Sequence, residues 1–184
     1  MEFIETALKG AYIIKLDPKG DKRGSFTRIF CEKELAEIGF DKRIVQINHS
    51  ITEEKGTLRG MHYQVGVASE IKIIRVIKGS VYDVIVDMRP DSDTFLKWTS
   101  SNLSKDSPQI LYVPEGFAHG FQTLSQDVEM IYQHSSFYDP NSERGFPYDD
   151  PKIRISWPLP VSVVSERDSN HHNLESFNNK LFEL

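Results

Sequence analysis

One cysteine, Cys31, stands alone in a chain of 184 residues. A disulfide framework within the chain and a cysteine-built zinc site are therefore excluded, and a reducing compartment is expected. Long apolar runs are missing too, so no segment reads as a membrane span. The opening stretch, MEFIETALKGAYIIKLD, is too acidic and polar for a secretory signal, so the protein is expected to be cytoplasmic and membrane-free. Nor is there an excess of basic charge: 22 Lys and Arg against 27 Asp and Glu give a formal charge of −5, which removes the general drive toward nucleic acid. Repeats, low-complexity tracts and Pro/Gly-rich linkers are absent, and one continuous domain over residues 1–184 is expected.

Helical periodicity is equally scarce. It is clear only over Glu32–Ile38, where Leu35 and Ile38 share a face and Gly39 supplies the stop. What the chain has instead is short β-branched and aromatic runs: residues 10–16, 26–30, 45–50, 71–78, 81–88, 109–113, 120–124 and 128–137. Many short strands with turn punctuation predict an all-β sandwich or barrel. Gly79-Ser80 is suited to a two-residue turn, which predicts a hairpin pairing Val76 with Asp83 and Lys72 with Asp87. One face of it would set Lys72, Asp83 and Asp87 among Ile74, Val76 and Ile85. From Phe146 onward Pro and Asp become frequent, predicting an irregular C-terminal wrap with a short helix around Leu174–Lys180.

Two segments concentrate chemistry. Gly56-Thr57-Leu58-Arg59-Gly60-Met61-His62-Tyr63-Gln64 packs a cation, a glycine and an imidazole into four residues. Val113-Pro114-Glu115-Gly116-Phe117-Ala118-His119-Gly120-Phe121 is a turn entering a strand on which Phe117, His119 and Phe121 share a side. Together they resemble the two motifs of the cupins, small double-stranded β-helix barrels (jelly rolls). The usual cupin metal set is broken here, because Gln64 stands where the second histidine belongs and Lys72 where the glutamate belongs. An ammonium repels a metal cation and offers it no lone pair, so no metal or other cofactor is expected. What remains suits proton transfer beside a carbonyl: His62 as base, Lys72 as fixed positive donor for the enolate oxygen, and Tyr132 as an acid on the opposite face of the carbon.

Nearly the whole chain resembles the dTDP-4-dehydrorhamnose 3,5-epimerase family. The resemblance is carried by Asp21-x-Arg23-Gly24-x-Phe26, Gln46-x-Asn48-x-Ser50, the Gly56–Gln64 segment, Lys72, the Gly79–Arg89 run, the Pro114–Phe121 segment, Tyr132, Tyr138, Glu143, Asp150-Pro151 and Trp157-Pro158. It implies a general base, His62, oriented by Asp168, with Tyr132 as general acid and Lys72 stabilising an enolate. It further implies that Arg23, Phe26, Arg28, Gln46, Asn48, Arg59, His119 and Glu143 occupy positions that bind a nucleotide-diphospho-sugar. Arg59 would take the pyrophosphate with its planar fork, and Tyr138 would stack on the base. The resemblance implies a barrel over about residues 45–140 and a homodimer that exchanges an N-terminal strand. The strands of residues 1–44 would lie at its interface, and Arg23 and Phe26 would serve the neighbour's site.

Two positions depart from the family pattern. Arg28 stands where the family has glutamate, and Ser165-Glu166-Arg167-Asp168 replaces Ser-x-Lys-Asp. A dTDP-, CDP- or GDP-linked sugar, inversion at one carbon or two, a keto shift, and binding without catalysis all remain open at this point. Lys72 also admits a structural reading, as an edge-strand charge or an ion pair with Asp87. His49, His134, His171 and His172 receive no role.

Overall fold

The alternating pattern of the strands decides the architecture. A computed structural model describes residues 1–174, so the helix expected around Leu174–Lys180 lies outside the described residues apart from its first residue. In chain order the elements are β1 (Glu2–Glu5), β2 (Tyr12–Lys15), β3 (Lys19–Asp21), β4 (Gly24–Phe26), α1 (Glu32–Leu35) and β5 (Gln46–Thr52). Next come β6 (Leu58–Gln64), β7 (Lys72–Lys78), β8 (Ser80–Asp87), β9 (Trp98–Ser104) and β10 (Gln109–Val113). The last are β11 (Phe117–Thr123), β12 (Val128–His134), β13 (Glu143–Gly145) and α2 (Glu166–Ser169).

An antiparallel six-stranded sheet, β1-β2-β10-β7-β12-β5, faces a five-stranded sheet, β13-β6-β11-β8-β9, while β3 and β4 form a separate pair. This is the all-β cupin barrel that the motifs imply. Inward residues of both sheets, among them Ile74, Val76, Val81, Ile85, Leu111, Phe121 and Met130, make one buried core between the layers. The outer face of the five-stranded sheet is covered by the C-terminal wrap, with Phe146, Ile153, Ile155 and Leu174 packed on Met61, Val84 and Val86. The outer face of the other sheet is covered only in part, by Leu35 and Phe40 packed on Ile14, Ile73, Ile110 and Tyr112.

The hairpin expected at Gly79-Ser80 does not form. β7 is paired on both edges by β10 and β12, and β8 by β11 and β9, so the chain crosses there from one sheet to the other. Gly79 makes the corner with φ of +74°, and a Cβ on it would come within 2.6 Å of Ser125 Oγ. A two-residue turn signal reports a sharp reversal but not which edge accepts the returning strand. The face composition nevertheless holds, because each strand turns its alternate residues to the shared interior. Lys72 and Asp83 thus belong to opposite sheets. Neither structural reading of Lys72 survives, since β7 is an inner strand and Asp87 is bound by Arg89, Ser92 and Thr94.

Glu32–Ile38 is helical as expected, an α-turn followed by a 3-10 turn over Ala36–Ile38, with Gly39 left-handed at its end. The strand expected over residues 26–30 ends at Phe26. β1 and β2 join the six-stranded sheet beside β10.

Candidate active site

β6 and β11 lie side by side with His62 directly across from His119, and both imidazoles point into a cavity of about 590 Å³. Close approach of these strands requires glycine on both: a Cβ on Gly60 would sit 2.5 Å from the Gly120 Cα, and Gly60 has φ of +124°. From the opposite sheet β12 contributes Tyr132 and His134, β7 contributes Lys72, and β5 contributes Asn48 and Ser50. His62 and Lys72, placed on different sheets, therefore open into the same space.

His62 Nε2 lies 2.8 Å from Asp168 Oδ1. A carboxylate only accepts, so Nε2 carries the hydrogen and Nδ1 is left with the lone pair. Asp168 is delivered by the wrap: Ser165 caps α2 by accepting from the Asp168 N–H at 3.0 Å, and Gly60 N–H donates to the other carboxylate oxygen at 3.1 Å. Burial pushes this carboxyl upward, but the His62 hydrogen bond and charge, with the two backbone and cap contacts, outweigh it and hold Asp168 well below the ordinary carboxylate range.

Lys72 Nζ lies 3.4 Å from the His62 carbonyl oxygen and 3.3 Å from Glu70 Oε1. An ammonium has three N–H donors, so one remains for a ligand. Tyr132 is held by burial far above the usual phenol range, with Ser50 Oγ 3.5 Å from its hydroxyl. It therefore stays protonated and able to give a proton. His119 Nε2 sits 2.9 and 3.0 Å from the two oxygens of Asp83. Burial raises Asp83, and the His119 contact opposes that rise in part.

At the mouth, Arg59 lines the cavity with Nε donating to Thr52 Oγ1 at 3.1 Å and Nη2 to the Ile51 carbonyl at 3.4 Å. Tyr138 donates to Glu143 at 2.9 Å, and Gln46 accepts from the Tyr138 N–H at 3.1 Å. Among the expected binding residues, Arg23, Phe26, Arg28 and Gln46 do not line this cavity, Gln46 sitting just behind its wall against Asn48. Arg23 is bound to Asp21, Phe26 is 76% exposed, and Arg28 is paired with Glu34 at 2.8 Å. The charge reversal at Arg28 is therefore met outside the cavity of the same chain.

Three cavity residues lay beyond the sequence reading. Arg167 Nη1 donates to Glu143 at 3.0 Å, while its Nη2 lies 3.2 Å from His62 Nε2 as a contact without a hydrogen bond, since the hydrogen on that nitrogen goes to Asp168. Glu70 binds His134 Nδ1 at 2.6 Å as well as Lys72. Alternation from Lys72 could have placed Glu70 on the inward face, but nothing in the sequence marks β12 as the neighbour that brings His134 to it.

Gln64, at the broken cupin ligand position, is fully engaged: its amide donates to the Ala68 and Phe137 carbonyls and accepts from the Asp139 N–H. Among the described residues, one group, His62, Asp168 and His171, brings three possible ligand atoms within 4.8 Å of one another. The Arg167 guanidinium against His62 opposes a dication there.

Residues 5–176 match the family model described as dTDP-4-dehydrorhamnose 3,5-epimerase. A protein of that name from Methanothermobacter thermautotrophicus is 42% identical over 171 residues, 91% of each chain. A dTDP-4-dehydrorhamnose 3-epimerase from Streptomyces niveus is 32% identical over 89% of this chain and 79% of its own. Among solved structures, dTDP-6-deoxy-D-glucose-3,5-epimerase from Legionella pneumophila, in complex with dTDP-4-keto-L-rhamnose, superposes with a TM-score of 0.92 at 37% identity, covering 98% of this chain and 96% of that one.

Proposed function

The chain belongs to the dTDP-4-dehydrorhamnose 3,5-epimerase family, and from that membership we propose that it inverts C3 and C5 of a dTDP-linked 4-keto-6-deoxysugar, turning dTDP-4-dehydro-6-deoxy-glucose into dTDP-4-dehydrorhamnose. The observation that carries the mechanism is the cavity itself, which the His62–Asp168 pair, the Lys72 ammonium and the protonated Tyr132 all enter.

His62 Nδ1 takes the proton from the carbon beside the ketone, and the C–H electron pair moves into a carbon–carbon double bond as the carbonyl oxygen becomes an enolate. Asp168 holds the ring in the required tautomer and faces the charge that develops on it. Lys72 donates to the oxyanion, so the positive charge that a metal would bring is supplied by the chain. Tyr132 returns a proton to the other face of the carbon, the enolate collapses to the ketone, and the centre is inverted. Arg59, Asn48, His119, Glu143 and Tyr138 are assigned to the nucleotide-sugar, with Arg59 at the pyrophosphate and Tyr138 at the base.

We place the enzyme in the cytoplasm as a homodimer. The uncovered part of the six-stranded sheet supports the dimer: Ile47, Ile51 and Ile77 are exposed at 63%, 58% and 42%. The displaced β3–β4 pair, with Arg23 and Phe26, supports their service to a neighbour's cavity. The deciding experiment incubates the protein in deuterated water with dTDP-, CDP- and GDP-linked 4-keto-6-deoxysugars and follows each ring hydrogen by NMR. Exchange at C3 and C5 of the dTDP sugar is expected. Exchange at C3 alone would assign the narrower activity for which the Streptomyces niveus relative is named, and binding without exchange would overturn catalysis.

A further inference from the structure

Glu70 and His134 have no part in the proton transfers above, yet both are buried in the cavity wall, with side chains 8% and 10% exposed. The backbone sets their meeting. Glu70 precedes Lys72 by two residues and so shares its side of the chain, while His134 is the cross-strand partner of Lys72 on β12 and of Gln46 on β5.

The contacts form a chain in which each donor direction fixes the next. Tyr138 N–H donates to Gln46 Oε1 at 3.1 Å, and Gln46 Nε2 donates to Asn48 Oδ1 at 3.2 Å. Asn48 Nδ2 lies 3.2 Å from His134 Nε2, and His134 Nδ1 lies 2.6 Å from Glu70 Oε2. A carboxylate cannot donate, so Nδ1 bears the hydrogen, and Nε2 of the neutral ring is free to accept from Asn48. Lys72 closes the far end as an ion pair, its Nζ 3.3 Å from Glu70 Oε1. Every donor runs toward one carboxylate.

We propose that Glu70 and His134 are positioning residues: with Gln46 and Asn48 they form a one-way hydrogen-bonded relay that ties the nucleotide end of the cavity to Lys72 and holds its ammonium where the enolate oxygen forms. This rests on the epimerase reading above. The relay tolerates no amide in place of the carboxylate. A glutamine at position 70 that still accepts from Lys72 presents an NH₂ to His134 Nδ1–H, two donors face to face. The ring must then move its hydrogen to Nε2, which turns over the Asn48 and Gln46 amides in succession and leaves an NH₂ facing the Tyr138 N–H. A purely structural Glu70 would lose stability in such a variant but would have no special relation to Lys72.

The experiment measures kcat, KM and deuterium exchange with dTDP-4-dehydro-6-deoxy-glucose for Glu70→Gln in two backgrounds, the natural chain and Lys72→Met, with thermal unfolding and dTDP binding as controls. In the natural background kcat falls roughly tenfold to a hundredfold, the scale of misplacing a catalytic group by about 1 Å, and changes more than the dTDP affinity does. In the Lys72→Met background the same change costs less than about threefold, because its route of action has gone. His134→Phe, which keeps a ring beside Tyr132, lowers kcat in the natural chain but adds nothing to Glu70→Gln. An unaltered kcat in Glu70→Gln, or equal losses with and without Lys72, overturns the relay while leaving the epimerase reading intact. A natural chain that neither exchanges nor converts the dTDP sugar overturns both.

Discussion

At the residue scale the site separates three jobs by environment. An imidazole is oriented by a carboxylate, an ammonium is tethered by two acceptors, and a phenol is kept neutral by burial. His62→Ala should abolish deuterium exchange at every ring carbon, whereas Tyr132→Phe should retain exchange at some carbon and lose inversion; NMR of the product reads both. Lys72→Ala should lower kcat by about two to three powers of ten, the usual effect of removing a donor to an oxyanion. Because burial raises the Tyr132 phenol above its ordinary value near about 10, loss of its proton should not limit kcat below that pH, and an alkaline limb at lower pH should persist in the deuterium exchange that Tyr132→Phe retains. Asp168 is depressed, so its contribution to stability is complete above the unfolded carboxylate value of about 3.9 and is lost as pH falls toward the folded value. Urea unfolding should therefore show Asp168→Asn about 1–3 kcal/mol less stable than the natural chain at neutral pH, a difference that shrinks below about pH 4.

At the element scale the two glycine-bearing strands and the capped turn α2 do most of the placing. Gly60→Ala forces a methyl against the Gly120 backbone and a left-handed conformation on alanine, and its thermal midpoint should drop by many degrees. Ser165→Ala removes the cap beneath Asp168 at a cost of about 1 kcal/mol, and its effect on turnover should exceed its effect on stability. Strand alternation made the inward set of Lys72, Ile74, Val76, Asp83 and Ile85 legible before any pairing was known, because side-chain period is local. Pairing is not local, so the turn signal at Gly79 does not tell a hairpin from the corner between sheets that forms there. The His62–Asp168 contact spans more than a hundred residues of sequence and was legible only through resemblance. The meeting of Glu70 with His134, 64 residues apart in the chain, was illegible because it depends on the pairing of β7 with β12.

At the scale of the whole molecule, the two sheets are covered unequally, and the bare part of the six-stranded sheet is where a second copy is proposed to bind. Ile47→Lys with Ile51→Lys should shift the protein toward monomer in analytical ultracentrifugation. Mixing Arg23→Ala with His62→Ala subunits tests exchange directly. If Arg23 serves the neighbour, the mixed dimer regains one complete site and activity returns; if it serves its own chain, the mixture stays dead. The covered sheet has a different consequence. The wrap that seals its outer face with Phe146, Ile153 and Ile155 is the same segment that brings Asp168 to His62. A nascent chain that has emerged only as far as β13 can close its central core but holds an unaccompanied imidazole and a greasy outer flank. On the proposed mechanism, docking of the wrap and arming of the base are thereby one event, so a copy that has not yet closed its flank would leave the sugar untouched.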